Sequence, residues 1–423
     1  MISINKSIDS LKPLATLAIN QKVKDLRAEN KEVYHFGFGQ SPFPIHSRIV
    51  KKLIDNADNN HYMPTLGQEV LREKVADYLS KYHKVVSNKA NVLIGPGSKE
   101  LLYQTILILE GAFLIPKGSW VSYGPQIKSK GVHYEILETK FEDNFKLTIE
   151  TLEAYCERRY EVQKTLILNS PNNPTGAVYT ENEIKGLAKV CKKYKVIVLS
   201  DEIYSLINFN ENISPSLATY YPERTFVFGG LSKIFSAGGY RLGFMKLPTE
   251  FIELSNTFRS LFSETFSAVA SPIQFAAIEA FSMHTDIQDY INLNNKILRR
   301  AAKFVFERLS KVNIDCTVPH GAFYLMIGFN NFRVKIQKKL DINTSKDLAN
   351  YILDNYQVAL LPGSDFYFSE DDLFFRMAFV DFDGKNIIEQ ANFITFNDSD
   401  FIIKNCPNIA KGVDRLMAFV QDL

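Results

Sequence analysis

Cysteine is scarce: the 423 residues hold four, Cys156, Cys191, Cys316 and Cys406, and no two form a CxxC pair. That spacing argues against a disulfide framework or a cysteine zinc site and fits a reducing compartment. Excess charge is also lacking. Lys and Arg total 49, Asp and Glu 47, and the formal net charge is +2. Such a balance argues against binding nucleic acid or a membrane surface through bulk charge. No run of 18 apolar residues occurs. The nearest approach, Thr105 to Ile115, is broken by Glu110 and Gly111, so no transmembrane helix is expected. The first twenty residues lack the uninterrupted apolar centre of a signal peptide. With repeats and low-complexity linkers absent too, the expectation is a soluble cytoplasmic protein. Hydrophobic residues make up 46%, enough for a sizeable core, and the length suggests two or three domains.

What is present in the middle of the chain is an alternation. Val92–Ile94, Thr165–Leu168, Val196–Leu199 and Thr225–Phe228 are short apolar runs bounded by Gly, Asn, Asp or Ser, as buried parallel strands are. Leu147–Arg159 and Glu181–Lys193 read as amphipathic helices between them. Strand and helix in alternation predict a doubly wound α/β sheet, with a site beyond the carboxyl ends of its strands. The C-terminal third has another rhythm. A long helix over Ile287–Leu309 leads to a strand at Phe323–Ile327, a helix at Ser345–Asn355, strands near Val358–Leu361 and Phe374–Val380, then helices. This reads as a smaller α+β domain beginning near residue 290.

Three strand ends carry chemistry. Ser232-Lys233 follows Thr225–Phe228, and Arg241 lies eight residues on in Gly-Tyr-Arg-Leu-Gly. Asp201, in Ser-Asp-Glu-Ile-Tyr, follows Val196–Leu199. Asn173, in Asn-Ser-Pro-Asn-Asn-Pro-Thr-Gly, follows Thr165–Leu168. A parallel sheet would bring this amine, carboxylate, phenol and amide to one edge. Each also has a plainer reading: a solvated lysine, a helix cap, a turn residue before proline, a surface ion-pair arginine.

Taken in order, Gly-Pro-Gly-Ser-Lys, Trp-Val-Ser-Tyr, Asn-Asn-Pro-Thr-Gly, Asp-Glu-Ile-Tyr, Leu-Ser-Lys, Arg-Leu-Gly and a late Phe-Arg-Met form a specific set. The chain resembles the pyridoxal-phosphate-dependent aminotransferases of class I/II, the fold-type-I group that includes the aspartate aminotransferases. The match runs from about Pro13 to Arg376. The resemblance implies a large α/β domain with a mainly parallel sheet over residues 45–290, and a smaller α+β domain over 291–423. An N-terminal arm, residues 1–44, would belong to the small domain.

The resemblance also implies roles. Lys233 would hold pyridoxal 5'-phosphate as an internal aldimine and then act as a base. Asp201 would keep the ring nitrogen protonated, since a pyridinium is the better electron sink. Tyr204 and Asn173 would hydrogen-bond the ring's 3-oxygen, and Trp120 would stack on its face. The backbone N–H groups of Gly97, Ser98 and Lys99, with the Ser232 hydroxyl and the Arg241 fork, would hold the phosphate. Arg376 breaks an apolar strand, is costly there unless paired, and is expected to meet the substrate α-carboxylate, helped by the Gly39 backbone. Tyr62 would reach the partner subunit's phosphate, implying a homodimer with shared sites. No metal is implied. Lys99 is the candidate for a second substrate carboxylate, because no arginine lies between Phe262 and Leu298; its plainer role is neutralising the phosphate.

Three departures from the family pattern lie near the substrate entrance: Gly39-Gln-Ser-Pro-Phe, Phe366-Tyr367, and the stretch before Trp120. They bear on substrate rather than cofactor. The implied activity is transfer of an amino group from an amino acid to a 2-oxo acid in a ping-pong cycle. A lyase or decarboxylase on the same scaffold is the alternative. A cofactor-binding regulator is a weaker one, as the chain has no spare basic N-terminal module.

Overall fold

The computed structural model describes residues 2–9, 11, 15–210, 214–391 and 400–423; Pro13, where the resemblance begins, lies outside them. A two-residue strand β1 (Tyr34–His35) comes first. Seven strands then build the main sheet: β2 (Val92–Gly95), β3 (Ala112–Pro116), β4 (Tyr134–Leu137), β5 (Lys164–Asn169), β6 (Ile197–Asp201), β7 (Thr225–Gly230) and β8 (Gly243–Lys246). Their order is β2-β8-β7-β6-β5-β3-β4. Every pair is parallel except the two that β8 makes, with β2 and β7.

The sheet is buried on both faces, which is why its strands read as continuous apolar runs. On one face Ile167, Leu199 and Phe228 pack with Leu101, Leu102 and Phe258. On the other, Leu166, Leu168 and Val198 pack with Leu152, Ile184 and Leu187. Those last three come from helices Ile149–Arg158 and Glu181–Lys193. The second helix starts with a capping box. Thr180 Oγ accepts from the Glu183 N–H at 3.3 Å and the Glu183 carboxylate accepts from the Thr180 N–H at 2.7 Å, satisfying two donors the helix cannot.

A helix of 26 residues, Thr285–Ser310, leads out of this layer without a break at residues 290 and 291. Beyond it lie β9 (Asp315–Cys316), β10 (Tyr324–Gly328), β11 (Val358–Ala359), β12 (Leu361–Pro362) and β13 (Phe374–Ala378). Strands β12, β13, β10 and β9 form an antiparallel sheet in that order. β1 pairs with β11 in parallel, Tyr34 opposite Val358.

The architecture is the expected α/β one, with its mainly parallel sheet and smaller second sheet. Two details differ. The run at Val92–Ile94 is an edge strand whose neighbour, β8, is antiparallel. The broken run Thr105–Ile115 is the end of helix Ser98–Ile108 followed by β3. Gly111, at φ +96°, makes the turn between them.

β8 also explains the Gly in Arg-Leu-Gly. A Cβ on Gly243 would stand 2.3 Å from the Ser98 nitrogen and 2.6 Å from the Gly97 carbonyl carbon. Both are backbone atoms, so neither can swing aside. Gly243→Ala is expected to push the start of helix Ser98–Ile108 off the sheet and cost about 1–3 kcal/mol, as overpacking does. Thermal melting and cofactor titration of the variant check this; a wild-type melting temperature with wild-type affinity contradicts it.

Candidate active site

A cavity of about 400 Å³ opens at the carboxyl ends of β5, β6 and β7, closed from the far side by β10 and β13. Eleven of the thirteen residues singled out in the sequence line it: Gly39, Ser98, Lys99, Trp120, Asn173, Asp201, Tyr204, Ser232, Lys233, Arg241 and Arg376. The two that do not are Gly97, just behind the wall, and Tyr62, which is 95% exposed.

Asp201 ends β6 and is buried. Its Oδ2 accepts from the Tyr123 hydroxyl at 2.7 Å and its Oδ1 from the Ile203 N–H at 3.3 Å. Burial pushes its pKa up to about 6, against the pull of those two donors. Burial, and then the Asp201 charge, raise the Tyr123 phenol far above its ordinary range, so Tyr123 stays a donor. The next residue, Glu202, points into the core, where its carboxylate meets Ser200 Oγ at 2.8 Å, Ser216 Oγ at 2.6 Å and His83 Nδ1 at 2.8 Å. The Asp-Glu pair thus pins the strand end from both sides.

One hydrogen-bonded series crosses the cavity floor. The Asn169 amide donates to the Asp201 carbonyl at 2.7 Å, and Asn169 Oδ1 accepts from the Asn173 N–H at 2.8 Å. Asn173 Oδ1 accepts from Arg376 Nη1 at 3.2 Å. Arg376 is buried between the Tyr324 and Phe366 rings, 4.6 and 5.2 Å from their centroids, and gives its Nη2 to the Gly37 carbonyl at 2.6 Å. Its Nε has no partner, and among the described residues no carboxylate lies within 4 Å of it. Burial lowers its pKa, only partly offset by Tyr324, Tyr204 and the Asp365 carboxylate nearby.

Lys233 donates from Nζ to the Gly39 carbonyl at 2.7 Å. The Tyr324 hydroxyl reaches the same carbonyl at 3.3 Å and the Tyr204 hydroxyl at 2.9 Å. Only glycine fits at 39, because a Cβ there would lie 2.0 Å from the Tyr324 oxygen.

At the opposite end, Gly97 caps helix Ser98–Ile108 at φ +99°. A Cβ on it would meet Arg241 Nη2 at 2.5 Å, so the guanidinium lies flat against the turn. The Gly97 N–H donates back to the Gly95 carbonyl at 2.8 Å. Its expected place as a phosphate donor is therefore taken, and what Gly97 contributes is conformation and space. The N–H groups of Ser98 and Lys99 are first-turn donors with no carbonyl one turn earlier. Lys99 Nζ stands 5.2 Å over the Trp120 ring, its pKa lowered by burial and then by Arg241. The charged lining is thus Lys99, Lys233, Arg241 and Arg376 against Asp201 alone. Such a cavity is built for anions, with a nucleophilic amine among them.

The model of "Aminotransferase class I and II" matches residues 31–389. The chain belongs to that family. It is an aminotransferase, and the family uses pyridoxal phosphate. Aspartate aminotransferase of Geobacillus stearothermophilus is 32% identical over 377 residues, 86% of this chain and 92% of the relative. The probable aspartate/prephenate aminotransferase of Aquifex aeolicus is 31% identical over 368 residues, 85% and 90% of the two chains. Aspartate aminotransferase from Thermus thermophilus with maleate shares the fold at a TM-score of 0.84 and 23% identity, covering 99% of this chain and all of that one.

The residues present fit the aminotransferase cofactor. A helix start free of side chains at its cap, with Arg241 beside it, suits a phosphate. A buried carboxylate stands where three strand ends converge, and a lysine amine lines the same cavity. Four further residues belong to this site; of these the sequence pointed only to Tyr367, through its departure from the family pattern. Tyr123 stands inside the quoted Trp-Val-Ser-Tyr and Asn169 opens the quoted Asn-Ser-Pro, so both were within reach. Tyr324 sits in an apolar strand. Tyr367 donates to the Trp120 carbonyl at 3.1 Å and accepts from the Gly124 N–H at 2.8 Å, holding the loop that carries Trp120 and Tyr123.

The raised Asp201 pKa has a sign that can be read in the cofactor-free protein. Its folded value of about 6 exceeds the unfolded one near 4, so the folded state holds this proton more tightly. The associated stability is complete below pH ~4 and is lost as pH rises through about 6, on the order of 2–3 kcal/mol in all. Asp201→Asn is expected to remove that part of the pH dependence of apoprotein melting. Parallel wild-type and variant curves between pH 4 and 7 contradict it.

Proposed function

We propose that this aminotransferase takes both its amino donor and its 2-oxo acid acceptor at one carboxylate subsite, Arg376, facing a cofactor held by Lys233. The observation that carries the reading is the buried, unpaired guanidinium. A cation enclosed by aromatic rings, with a free Nε–H, no carboxylate within 4 Å among the described residues and only the longer-range pull of Asp365, is stabilised when an anion arrives. A planar carboxylate matches its fork, and a single cavity of about 400 Å³ leaves donor and acceptor to use it in turn, which is ping-pong order.

Bound pyridoxal phosphate supplies the aldehyde that exchanges amino groups and the ring that draws electrons from the α-carbon. The protein's part is divided among named side chains. Ser98 and Lys99 N–H groups, Ser232 and Arg241 anchor the phosphate, with Gly97 shaping the turn. Asp201, steadied by Tyr123, would keep the ring nitrogen protonated. Tyr204 and Asn173 would hydrogen-bond the ring's 3-oxygen, and Trp120 would stack on the ring and exclude water. Lys233, which lines the cavity, would hold the cofactor through its amine, and that amine would take up and return the substrate's α-proton. Arg376 and the Gly39 backbone fix the substrate so that the bond to be broken stands across the ring.

Tyr62, exposed and outside its own chain's cavity, serves the partner's phosphate in a homodimer. Four buried free cysteines support a reducing, cytoplasmic setting. No helix among the described residues is long and apolar enough to cross a membrane.

For the side chain of the donor we favour an acidic amino acid. Lys99 has no acidic partner within 4 Å among the described residues, and it borders the cavity beside Trp120. Two of the relatives named above are called aspartate aminotransferases, and a third name pairs aspartate with prephenate.

Two measurements follow. Arg376→Lys keeps a charge but loses the fork; KM for donor and acceptor is expected to rise together, by roughly 10–100-fold, about the worth of one or two charge-assisted hydrogen bonds. A rise for only one of the two substrates contradicts a shared subsite. Lys99→Ala is expected to lower kcat/KM for aspartate about 5- to 100-fold more than for an apolar donor. Equal losses for both donors assign Lys99 to the phosphate alone.

A further inference from the structure

Tyr324 has no place in the roles above, yet it touches both halves of the site. Its ring is one wall of the Arg376 slot, 4.6 Å from the guanidinium carbon. Its hydroxyl stands 2.9 Å from that of Tyr204 and 3.3 Å from the Gly39 carbonyl. It is fully enclosed, and the contact with Gly39 leaves no room for the ring to move towards the loop.

Each phenol has one proton, so within the pair one hydroxyl donates and the other accepts. The Tyr324 proton has two possible acceptors: the Tyr204 hydroxyl at 2.9 Å, and at a longer 3.3 Å the Gly39 carbonyl, which also receives the Lys233 amine at 2.7 Å. If Tyr204 spends its proton on Tyr324, it has none for the cavity. If Tyr324 donates to Tyr204, the Tyr204 proton points into the cavity, and a hydroxyl that accepts one bond donates the next more strongly. The charged groups facing the pair are Arg376 from β13, Lys233 beyond β7 and Asp201 from β6.

Resting on the reading that Tyr204 addresses the cofactor, we propose that Tyr324 is a positioning residue: its hydroxyl aims the Tyr204 proton at the cofactor while its ring holds Arg376 for the substrate carboxylate. The two functions sit on separate atoms of one side chain, and substitution separates them. Tyr324→Phe keeps the ring and removes the donor. Tyr324→Leu removes both.

The test uses the holoenzyme with aspartate and 2-oxoglutarate. For Tyr324→Phe, kcat falls about 3- to 10-fold, the worth of one neutral hydrogen bond, and KM stays near the wild-type value. Tyr204 then holds an anionic oxygen less well, so the pH midpoint of the cofactor's visible absorption moves upward. For Tyr324→Leu, KM rises as well. In a Tyr204→Phe background, Tyr324→Phe produces no further shift of the midpoint; this pair of variants decides the matter even where the leucine variant does not fold. Wild-type kcat and midpoint in Tyr324→Phe overturn the proposal. So does a rise in KM equal to that of the leucine variant, or additive shifts in the double variant. Borohydride trapping and peptide mapping keep the two readings apart. Label on Lys233 with an unaffected Tyr324→Phe sinks only the Tyr324 role, and label on another residue sinks the reading of the cavity itself.

Discussion

Three hydrogen bonds in series, Arg376 to Asn173, Asn173 to Asn169, and Asn169 to the Asp201 carbonyl, join the two sheets across the cavity floor. The rest of the site depends on them. They link the group that would meet substrate with the group that would meet the cofactor ring, through the loop after β5. Because the members of these bonds are buried, neither end can shift by itself without leaving a polar group unpaired. Relative placement, more than the identity of any one side chain, is what the fold provides.

The energetics run against the isolated protein. Arg376 is buried with no carboxylate in contact among the described residues, Asp201 is buried with its charge disfavoured, and Lys99 is drawn partly out of water beside Arg241. Each is a cost that a core of hydrocarbon would not carry. The cost is offset by the apolar layers on both faces of the main sheet, and it is relieved by ligands whose charges complement the cavity. The destabilised groups are gathered in one place, which is the pattern expected of a site shaped for chemistry rather than for stability.

The sequence was legible where a residue type is rare in its setting. A lysine, an aspartate and an amide at successive strand ends, and an arginine inside an apolar strand, stand out against what surrounds them. The parallel order of β5, β6 and β7 followed from their unbroken apolar runs. Tyr324 did not stand out, since an aromatic in a buried strand is ordinary packing until its hydroxyl is located. Tyr123 and Asn169 lay inside motifs already quoted, but what they do depends on distances between strands. The reversed direction of β8 left no mark on its four residues, Gly-Phe-Met-Lys. The N–H of Gly97 was open on sequence grounds and is closed by a bond to Gly95, because a turn at φ +99° folds the chain back on itself.

Four cationic side chains against one carboxylate also determine what the cavity does between ligands. Without cofactor or substrate it draws mobile anions from the medium, and the field that attracts them reaches on the order of 10 Å at 0.1 M salt. Phosphate, sulfate or chloride would then compete for the same cationic groups. Binding becomes an exchange of one anion for another. The apparent affinity for cofactor therefore carries the identity and concentration of the buffer salt within it. Protein prepared in phosphate and protein prepared in a zwitterionic buffer begin from different states of the same site.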